Sequence, residues 1–282
     1  MKSLTLKSIA KINLGLLVKE KRPDGFHNLE TIFYPLKDIY DTLTFSESEK
    51  DKFSSNVDLP FSPDNLIWKA KYALEKISGK NFTVKINLEK QIPMGGGLGG
   101  GSSNAASVLK GLNDLFELNL TEKQLAGIAL QLGSDVPFFL LSEPAFATSR
   151  GEVLTPIELK INGVIALVNP GIKISTKEAF ANVKPENSKK LEIDKALYLT
   201  ATGFENANEI LKNDFEPYVF SKYPVISEIK ERLLSCGAKF SAMTGTGSTV
   251  YAIFSDYEKA NKCVEIFREQ NYVVLISVEH GK

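Results

Sequence analysis

The feature of this sequence with the clearest chemistry is a glycine-rich run, Pro93-Met94-Gly95-Gly96-Gly97-Leu98-Gly99-Gly100-Gly101-Ser102-Ser103. Glycine lets a backbone approach a ligand closely. Alternating apolar residues predict a strand over residues 81–89 before the run. A helix with Ser102 or Ser103 as its N-cap is predicted after it. Because a helix N-terminus attracts anions, the run predicts a phosphate site.

Three other interpretations of the run are weaker. A flexible linker is not usually flanked directly by a patterned strand and a capped helix. Gly95-x-Gly97-x-x-Gly100 satisfies the dinucleotide fingerprint, but that fold returns to a parallel strand, whereas Thr121 here predicts a second helix. The common ATP-binding loop ends in Gly-Lys-Ser/Thr, and this run lacks the lysine. If a lysine contacts the phosphates, it must come from another part of the chain.

Composition limits the classes of partner. The 34 basic and 34 acidic residues give zero formal charge, so no global field gathers nucleic acid or anionic membrane. The sequence shows neither a signal peptide nor a membrane span, and we expect a cytoplasmic protein without an indicated protein partner. The two cysteines, Cys236 and Cys263, lack metal-ligand spacing and are expected in the core.

The order of predicted elements indicates an α+β fold in two domains. Alternation near the N-terminus predicts two strands with a break around residues 8–11. Asp64 or Asn65 is a candidate helix cap, and Thr121-Glu122-Lys123-Gln124 fits a capping box. Beyond Ala147 the sequence again predicts strands. This change places a domain boundary near Leu159, which predicts domains over residues 1–159 and 160–282.

Three segments in the right order resemble the GHMP kinases, a superfamily that includes galactokinase, homoserine kinase and mevalonate kinase. They are the glycine run, Ala10-Lys11-Ile12-Asn13-Leu14 and Met243-Thr244-Gly245-Thr246-Gly247-Ser248. The resemblance implies a ribosomal protein S5 domain 2-like N-terminal domain and a ferredoxin-like C-terminal domain. It also implies ATP, held by the whole run from Pro93 to Ser103, and Mg²⁺, whose ligands stay unknown.

Further motifs resemble the members that phosphorylate the 2-hydroxyl of a cytidine-diphosphate-linked methylerythritol in the non-mevalonate isoprenoid pathway. The motifs are Pro23-Asp24-Gly25-Phe26-His27-Asn28-Leu29, Gly133-Ser134-Asp135-Val136-Pro137-Phe138-Phe139 and Asn169-Pro170-Gly171. The resemblance covers most of the chain and is weakest over residues 47–61 and 185–201. A homoserine- or mevalonate-type kinase, or a module that binds a phosphorylated ligand without catalysis, stays open.

The resemblance implies a catalytic pair, Lys11 and Asp135. Asp135 matches the aspartate that accepts the hydroxyl proton or orients the hydroxyl, and Lys11 matches the lysine beside it. A lysine next to a carboxylate keeps the acid ionised and favours developing alkoxide charge. Asp135 could instead serve as the N-cap of a short helix.

The resemblance also implies residues for the cytidine-carrying small molecule. His27 would read the cytosine edge with donor and acceptor nitrogens. Phe26 stands where the family commonly has tyrosine, and Phe180 would lie on the opposite face of the base. Asn65 and Leu66 would line the adenine pocket, although Asn65 may equally be a cap. The remaining substrate-binding positions are Asn13, Thr176 and Gly245.

Overall fold

The computed structural model describes residues 2–187, 189–204 and 207–278. They fold into two compact units that are interleaved along the chain. The first unit holds the described residues of 1–10, 39–92 and 99–142, and the second holds those of 11–38, 93–98 and 143–282. The glycine run therefore contributes residues to both units. The domain boundary near Leu159 stays a prediction.

Two long strands belong to both units. They are β1, Ser3–Lys21, and β2, His27–Glu47, which pairs with it. The break predicted around residues 8–11 is wrong, because β1 continues through them. The consecutive residues from Ala10 to Lys19 are all buried. A strand covered on both faces loses the alternation that marks a half-buried strand.

The first unit places helices beside a small sheet. Residues 42–47 of β2 pair antiparallel with β4, which pairs parallel with β3. Helix α2 packs against α1, α3 and α4. The bounds are β3 Lys52–Ser55, α1 Leu66–Ser78, β4 Val84–Glu89, α2 Gly100–Leu115, α3 Glu122–Leu132 and α4 Val136–Leu141.

The helix ends of the first unit show which caps could be predicted from the local sequence. The side chain of Asn65 accepts a hydrogen bond from the N–H of Ile67, and the capping box of Thr121 and Gln124 is present, both as predicted. Helix α2 instead begins one turn early, with Gly99 as its N-cap at φ 72°. The cap predicted at Ser102 or Ser103 is wrong, because glycines adopt the helical turn before the serines.

The second unit is built around an antiparallel sheet in the order β10-β7-β9-β8. All six residues of the central strand β7 are buried. Helices α5, α8, α9 and α10 supply apolar residues to this core. Strand β5 pairs antiparallel with β6 on one side and with residues 31–33 of β2 on the other. The bounds are β5 Ala145–Thr148, β6 Val153–Pro156, β7 Val164–Asn169, α5 Thr176–Asn182, α6 Ile193–Thr202, α7 Ala207–Ile210, α8 Glu216–Lys222, α9 Pro224–Ser235, β8 Phe240–Met243, β9 Val250–Phe254, α10 Tyr257–Glu269 and β10 Val273–Val278.

Two further observations bear on the sequence-based expectations. Both cysteines are free thiols; Cys263 is buried in the core of the second unit and Cys236 is partly buried against it. Over the described residues, no helix is both long enough and apolar enough to cross a membrane.

A buried carboxylate, Asp41, fixes the segment that leads into the glycine run. Asp41 is 0% exposed, and its Oδ1 accepts hydrogen bonds from the backbone N–H groups of Gln91 and Ile92, both at 2.8 Å. Its Oδ2 accepts from Lys90 Nζ at 2.7 Å and from Asn104 Nδ2, on α2, at 2.9 Å. Burial lowers the pKa of Lys90, and the Asp41 carboxylate opposes this shift. The carboxylate thus joins the end of β4 to α2.

Replacing Asp41 by alanine is expected to lower the free energy of unfolding by about 3–5 kcal/mol, because the Lys90 ammonium would stay buried without its carboxylate. Equilibrium unfolding in urea measures the loss. Asp194→Ala is the matched control, since this acid is exposed on α6 and its removal should change stability by no more than about 0.5 kcal/mol. Equal effects of the two substitutions would contradict the structural role of Asp41.

Candidate functional site

Lys11 is a buried cation at the centre of the second unit's polar network. It lies in β1 and is only 3% exposed. Its Nζ donates to the carbonyl oxygen of Gly97 at 2.9 Å and to Asn13 Oδ1 at 2.5 Å, and it lies 5.3 Å from the ring centroid of Phe33. A buried ammonium requires such partners. Lys11 is thereby attached directly to the glycine run.

Asn13 and Thr244 close the network around that carbonyl. Thr244 Oγ1 donates to the Gly97 carbonyl at 3.3 Å and lies 3.3 Å from Asn13 Oδ1, while the N–H of Asn13 donates to Thr244 Oγ1 at 3.1 Å. The buried Tyr251 hydroxyl donates to the Asn13 carbonyl at 2.9 Å. The structure thus brings together Lys11, Asn13 and Gly97. Thr244 belongs to a motif of the family resemblance, but neither it nor Tyr251 was predicted as a site residue.

The first half of the glycine run is shaped by its own packing partners. A Cβ on Gly97, whose φ is +80°, would lie 2.1 Å from the carbonyl oxygen of Thr244. A Cβ on Gly96 would lie 2.6 Å from Asn169 Nδ2. The turn at residues 244–247 lies against this half of the run, since a Cβ added to Gly245 would lie 3.2 Å from the Gly97 carbonyl oxygen. Glycine is therefore required here by the protein itself.

The second half of the run forms the N-terminus of α2. Gly99 is the cap but has no side chain to accept from the first-turn N–H groups, so these donors lack a capping side chain. A Cβ on Gly100 would lie 2.8 Å from Lys90 Nζ. Ser103 is buried and its N–H donates to the Gly99 carbonyl, whereas Ser102 is half-buried. An uncapped sixteen-residue helix preceded by glycines suits an anion.

The flanks of the run and the α1 segment are more open. Pro93 is half-buried, whereas Met94, Gly95 and Gly101 are exposed. Leu98 is buried. Asn65 accepts from the N–H of Ile67 at 3.0 Å and donates to the carbonyl of Pro60 at 3.2 Å. Its capping role is thus confirmed. Leu66 is half-buried at the first position of α1, and the adenine role of both residues stays a prediction.

Asp135 lies at the start of α4 in the first unit. It occupies the N-cap position, but its side chain makes no capping hydrogen bond, and its backbone is helical at φ −83° and ψ −15°. The N–H of Val136 bonds instead to the Gly133 carbonyl. The alternative that Asp135 serves only as a helix cap is therefore wrong. Its half-buried carboxylate is not used by the helix it precedes.

His27 and Phe180 form a stacked pair in the second unit. Their ring centroids are 5.3 Å apart with an interplanar angle of 21°. Phe180 also contacts Phe215 edge to face at 4.8 Å. Burial lowers the pKa of His27, and the nearby Lys21 charge lowers it further. The imidazole is therefore neutral at pH 7 and offers one donor and one acceptor.

Two other substrate-binding candidates, Phe26 and Thr176, are exposed. The Phe26 side chain is 51% exposed, and the Arg150 guanidinium carbon lies 4.5 Å from its ring centroid. Thr176 is exposed at the start of α5, where its hydroxyl lies 3.5 Å from that of Thr246. Phe26 and Phe180 are thus both in the second unit, where the Phe26 ring contacts Arg150 and the Phe180 ring stacks on His27. Their placement on two faces of one base stays a prediction.

The described residues contain no group of three or more histidine, cysteine, aspartate or glutamate side chains that could hold a metal ion. Mg²⁺ in nucleotide sites is commonly bound by one or two protein ligands together with phosphate oxygens and water. The residues present fit that mode better than a dedicated protein cage.

Comparison with known proteins identifies the family. The models of the GHMP kinases N terminal domain and of the GHMP kinases C terminal match residues 65–143 and 197–273. A protein of Chlorobium phaeobacteroides (strain BS1), named 4-diphosphocytidyl-2-C-methyl-D-erythritol kinase, is 42% identical over 279 residues, which cover 98% of this chain and 97% of that protein. The chain belongs to the 4-diphosphocytidyl-2-C-methyl-D-erythritol kinases.

Solved structures agree with this membership in the 4-diphosphocytidyl-2-C-methyl-D-erythritol kinases. A crystal structure of 4-(cytidine 5'-diphospho)-2C-methyl-D-erythritol kinase is 31% identical with a TM-score of 0.85, covering 99% of this chain and 100% of that one. A homoserine kinase from Cytophaga hutchinsonii is 16% identical with a TM-score of 0.70, covering 99% and 95%, and shares the fold. The predicted two-domain GHMP kinase fold is confirmed, and the dinucleotide interpretation of the run is excluded.

Gly97→Ala is expected to lower the free energy of unfolding by about 1–3 kcal/mol, because a methyl group would overlap the Thr244 carbonyl oxygen. Denaturant unfolding measures the change. Gly127→Ala is the matched control: this glycine lies inside α3 with nothing within 4 Å of an added Cβ, so the substitution should stabilise by about 0.5–1 kcal/mol. If Gly97→Ala were as stable as the wild type, the proposed packing requirement would be refuted.

Proposed function

We propose that the chain transfers the γ-phosphoryl group of ATP to the 2-hydroxyl of 4-diphosphocytidyl-2-C-methyl-D-erythritol in the non-mevalonate isoprenoid pathway, giving the 2-phosphate and ADP. Family membership supports the substrate, since its relatives carry that name. The structural observation that carries the proposal is the buried bond from Lys11 to the Gly97 carbonyl, 2.9 Å long. It attaches a cation to the phosphate-binding run that lacks a lysine of its own.

The catalytic roles follow from the two side chains. Asp135 orients the acceptor hydroxyl or accepts its proton, the role of the family aspartate that it matches. Lys11 supplies positive charge that stabilises the acceptor oxygen as the hydroxyl proton leaves. A preorganised cation in a buried setting is worth more than one in water and needs no reorganisation during the reaction. Phosphoryl transfer depends mainly on such positioning and electrostatics.

ATP binds at the glycine run, from Pro93 to Ser103, in this proposal. The N–H groups in the first turn of α2, which lack a capping side chain, would donate to the phosphates, and Asn65 and Leu66 would contact the adenine. Mg²⁺ supplies charge neutralisation on the phosphates when it is bound. Ser102 is a candidate hydroxyl ligand because it is half-buried in the first turn of α2, whereas Ser103 is buried.

The acceptor is bound in the second unit. A neutral His27 can pair with the cytosine edge, which carries both donors and acceptors. Phe180 and Phe26 provide aromatic surface, and base stacking on such rings is worth roughly 1–3 kcal/mol per base. Asn13, Thr176 and Gly245 complete the proposed contacts to the polar part of the substrate.

An ADP-release assay across candidate alcohols tests the function. The wild type should release ADP with the cytidine-diphosphate polyol, ATP and Mg²⁺, but not with homoserine or mevalonate. Asp135→Asn should lower kcat by roughly 10²–10⁴, the usual contribution of a general acid or base, and leave ATP affinity unchanged. The control Asp194→Asn removes an exposed acid from α6 and should leave kcat unchanged.

Absence of ADP release with the cytidine substrate would refute the proposed function. Turnover of homoserine or mevalonate would favour another GHMP kinase activity. Nucleotide binding without turnover of any alcohol would favour a binding module instead.

The lowered pKa of His27 gives a pH dependence with a defined sign. Because burial holds this pKa below its ordinary value of about 6.5, the imidazole stays neutral above that pH and gains a proton only below it. Protonation removes the acceptor that pairs with a base donor. We expect KM for the cytidine substrate to be constant above about pH 6.5 and to rise as pH falls further.

Steady-state kinetics from pH 5 to 8, with KM for ATP measured in parallel, check this expectation. His27→Asn keeps a donor and an acceptor but does not titrate, so its KM for the cytidine substrate should lose the acid-side rise. An unchanged pH profile in this variant would assign the dependence to another group.

A further inference from the structure

Arg150 lies over the ring of Phe26. The guanidinium carbon is 4.5 Å from the ring centroid, within the range of a cation–π contact. The Arg150 side chain is only 23% exposed, whereas Phe26 is 51% exposed. One side of the ring is therefore covered by the cation while much of the ring stays accessible.

The turn that carries Arg150 is fixed by its own hydrogen bonds. It joins β5 to β6, and the Ser149 hydroxyl donates to Glu152 Oε1 at 2.9 Å while the N–H of Arg150 donates to Glu152 Oε2 at 2.7 Å. The N–H of Gly151 donates to the Thr148 carbonyl at 3.0 Å. Glu152 thus binds the first two residues of the turn, Ser149 and Arg150, and Arg150 is presented from a well-defined backbone.

The same turn is bonded to the segment that carries Phe26. Arg22 Nη1 donates to Ser149 Oγ at 2.8 Å, and the N–H of Leu29 donates to the Ser149 carbonyl at 2.6 Å. The N–H of Arg22 donates to the Phe26 carbonyl at 2.7 Å, and the N–H of Phe26 donates to Asp24 Oδ1 at 3.1 Å. The two segments therefore form one assembly within the second unit.

The two arginines of this assembly use their charge differently. Arg22 donates from Nε to Asp24 and from Nη1 to Asn28 and Ser149, so its guanidinium is held by hydrogen bonds. In the described part of the chain, the Arg150 guanidinium makes no side-chain hydrogen bond, and its Nε lies 3.9 Å from Glu152 Oε1. The Arg150 guanidinium is thus close to both the Phe26 ring and the Glu152 carboxylate.

We propose that Arg150 is a positioning residue of the cytosine site, which holds the Phe26 ring in the orientation that a base packs against. This inference rests on the proposed function. Phenylalanine has no hydroxyl with which to anchor its ring by a hydrogen bond, so the contact with the cation is what fixes the ring angle. Arg150 therefore affects binding of the cytidine substrate and leaves the transfer step unchanged.

Arg150→Gln and Arg150→Ala test the proposal, since both remove the charge and the glutamine keeps most of the side-chain volume. Each should raise KM for the cytidine substrate about two- to fivefold, the range of an exposed cation–π contact, with kcat and KM for ATP unchanged. Arg268→Ala, on the exposed side of α10, is the matched control and should change none of these. Unchanged KM in Arg150→Gln would overturn the proposal.

A double-mutant cycle separates an effect through Phe26 from a direct contact with substrate. In a Phe26→Leu background, which has no ring to position, Arg150→Gln should produce no further rise in KM. A rise of the same size in both backgrounds would show that Arg150 acts independently of Phe26, and would overturn the proposal.

Calorimetric titration with cytidine diphosphate distinguishes this inference from the proposed function. If the wild type neither binds cytidine diphosphate nor turns over the cytidine substrate, the function itself fails. If the wild type does both and Arg150→Gln binds cytidine diphosphate equally well, only the role of Arg150 fails. Thermal unfolding of each variant shows whether it is folded, and the glutamine variant provides the test if the alanine variant is not.

Discussion

The burial of one ammonium group, that of Lys11, constrains the polar network of the second unit. A lysine that is 3% exposed must exchange its hydration for partners, and these include the Gly97 carbonyl and Asn13 Oδ1. The Gly97 carbonyl can reach Lys11 only if the run passes close to β1. Thr244 then bonds to the same carbonyl. Strand, glycine run and turn are thereby held in one arrangement.

This arrangement explains why glycine is needed for two separate reasons. At Gly96 and Gly97 the backbone is pressed against Asn169, Thr249 and Thr244, so a side chain would overlap protein atoms. At Gly99 the backbone adopts φ 72° to begin α2 and leaves the first-turn donors without a capping side chain. The first requirement fixes where the run lies, and the second leaves its N–H groups for a ligand. A glycine run selected only for flexibility would satisfy neither.

Local signals in the sequence were sufficient where a side chain acts on its own backbone. The caps at Asn65 and Thr121 were predicted from a few neighbouring residues, and the strand predicted over residues 81–89 is present as β4, Val84–Glu89. The continuity of β1 was not predicted, because burial on both faces removes alternation. The partners of Lys11 could not be inferred from spacing, since Gly97 is 86 residues away and the bond depends on the tertiary fold. Only the resemblance to a family selected Lys11, whose burial then supplied the physical reason.

The proposed function requires a chain with zero formal charge to bind an anionic substrate. Without a long-range field, recognition depends on groups whose ionisation is set locally. Lys11 has its charge enclosed by acceptors, His27 is held neutral by burial, and Arg150 directs its charge at an aromatic ring. In the proposed cytosine site, a protonated His27 would add charge where the base requires an acceptor. The same desolvation that keeps His27 neutral therefore gives it the hydrogen-bonding pattern that a pyrimidine edge can read.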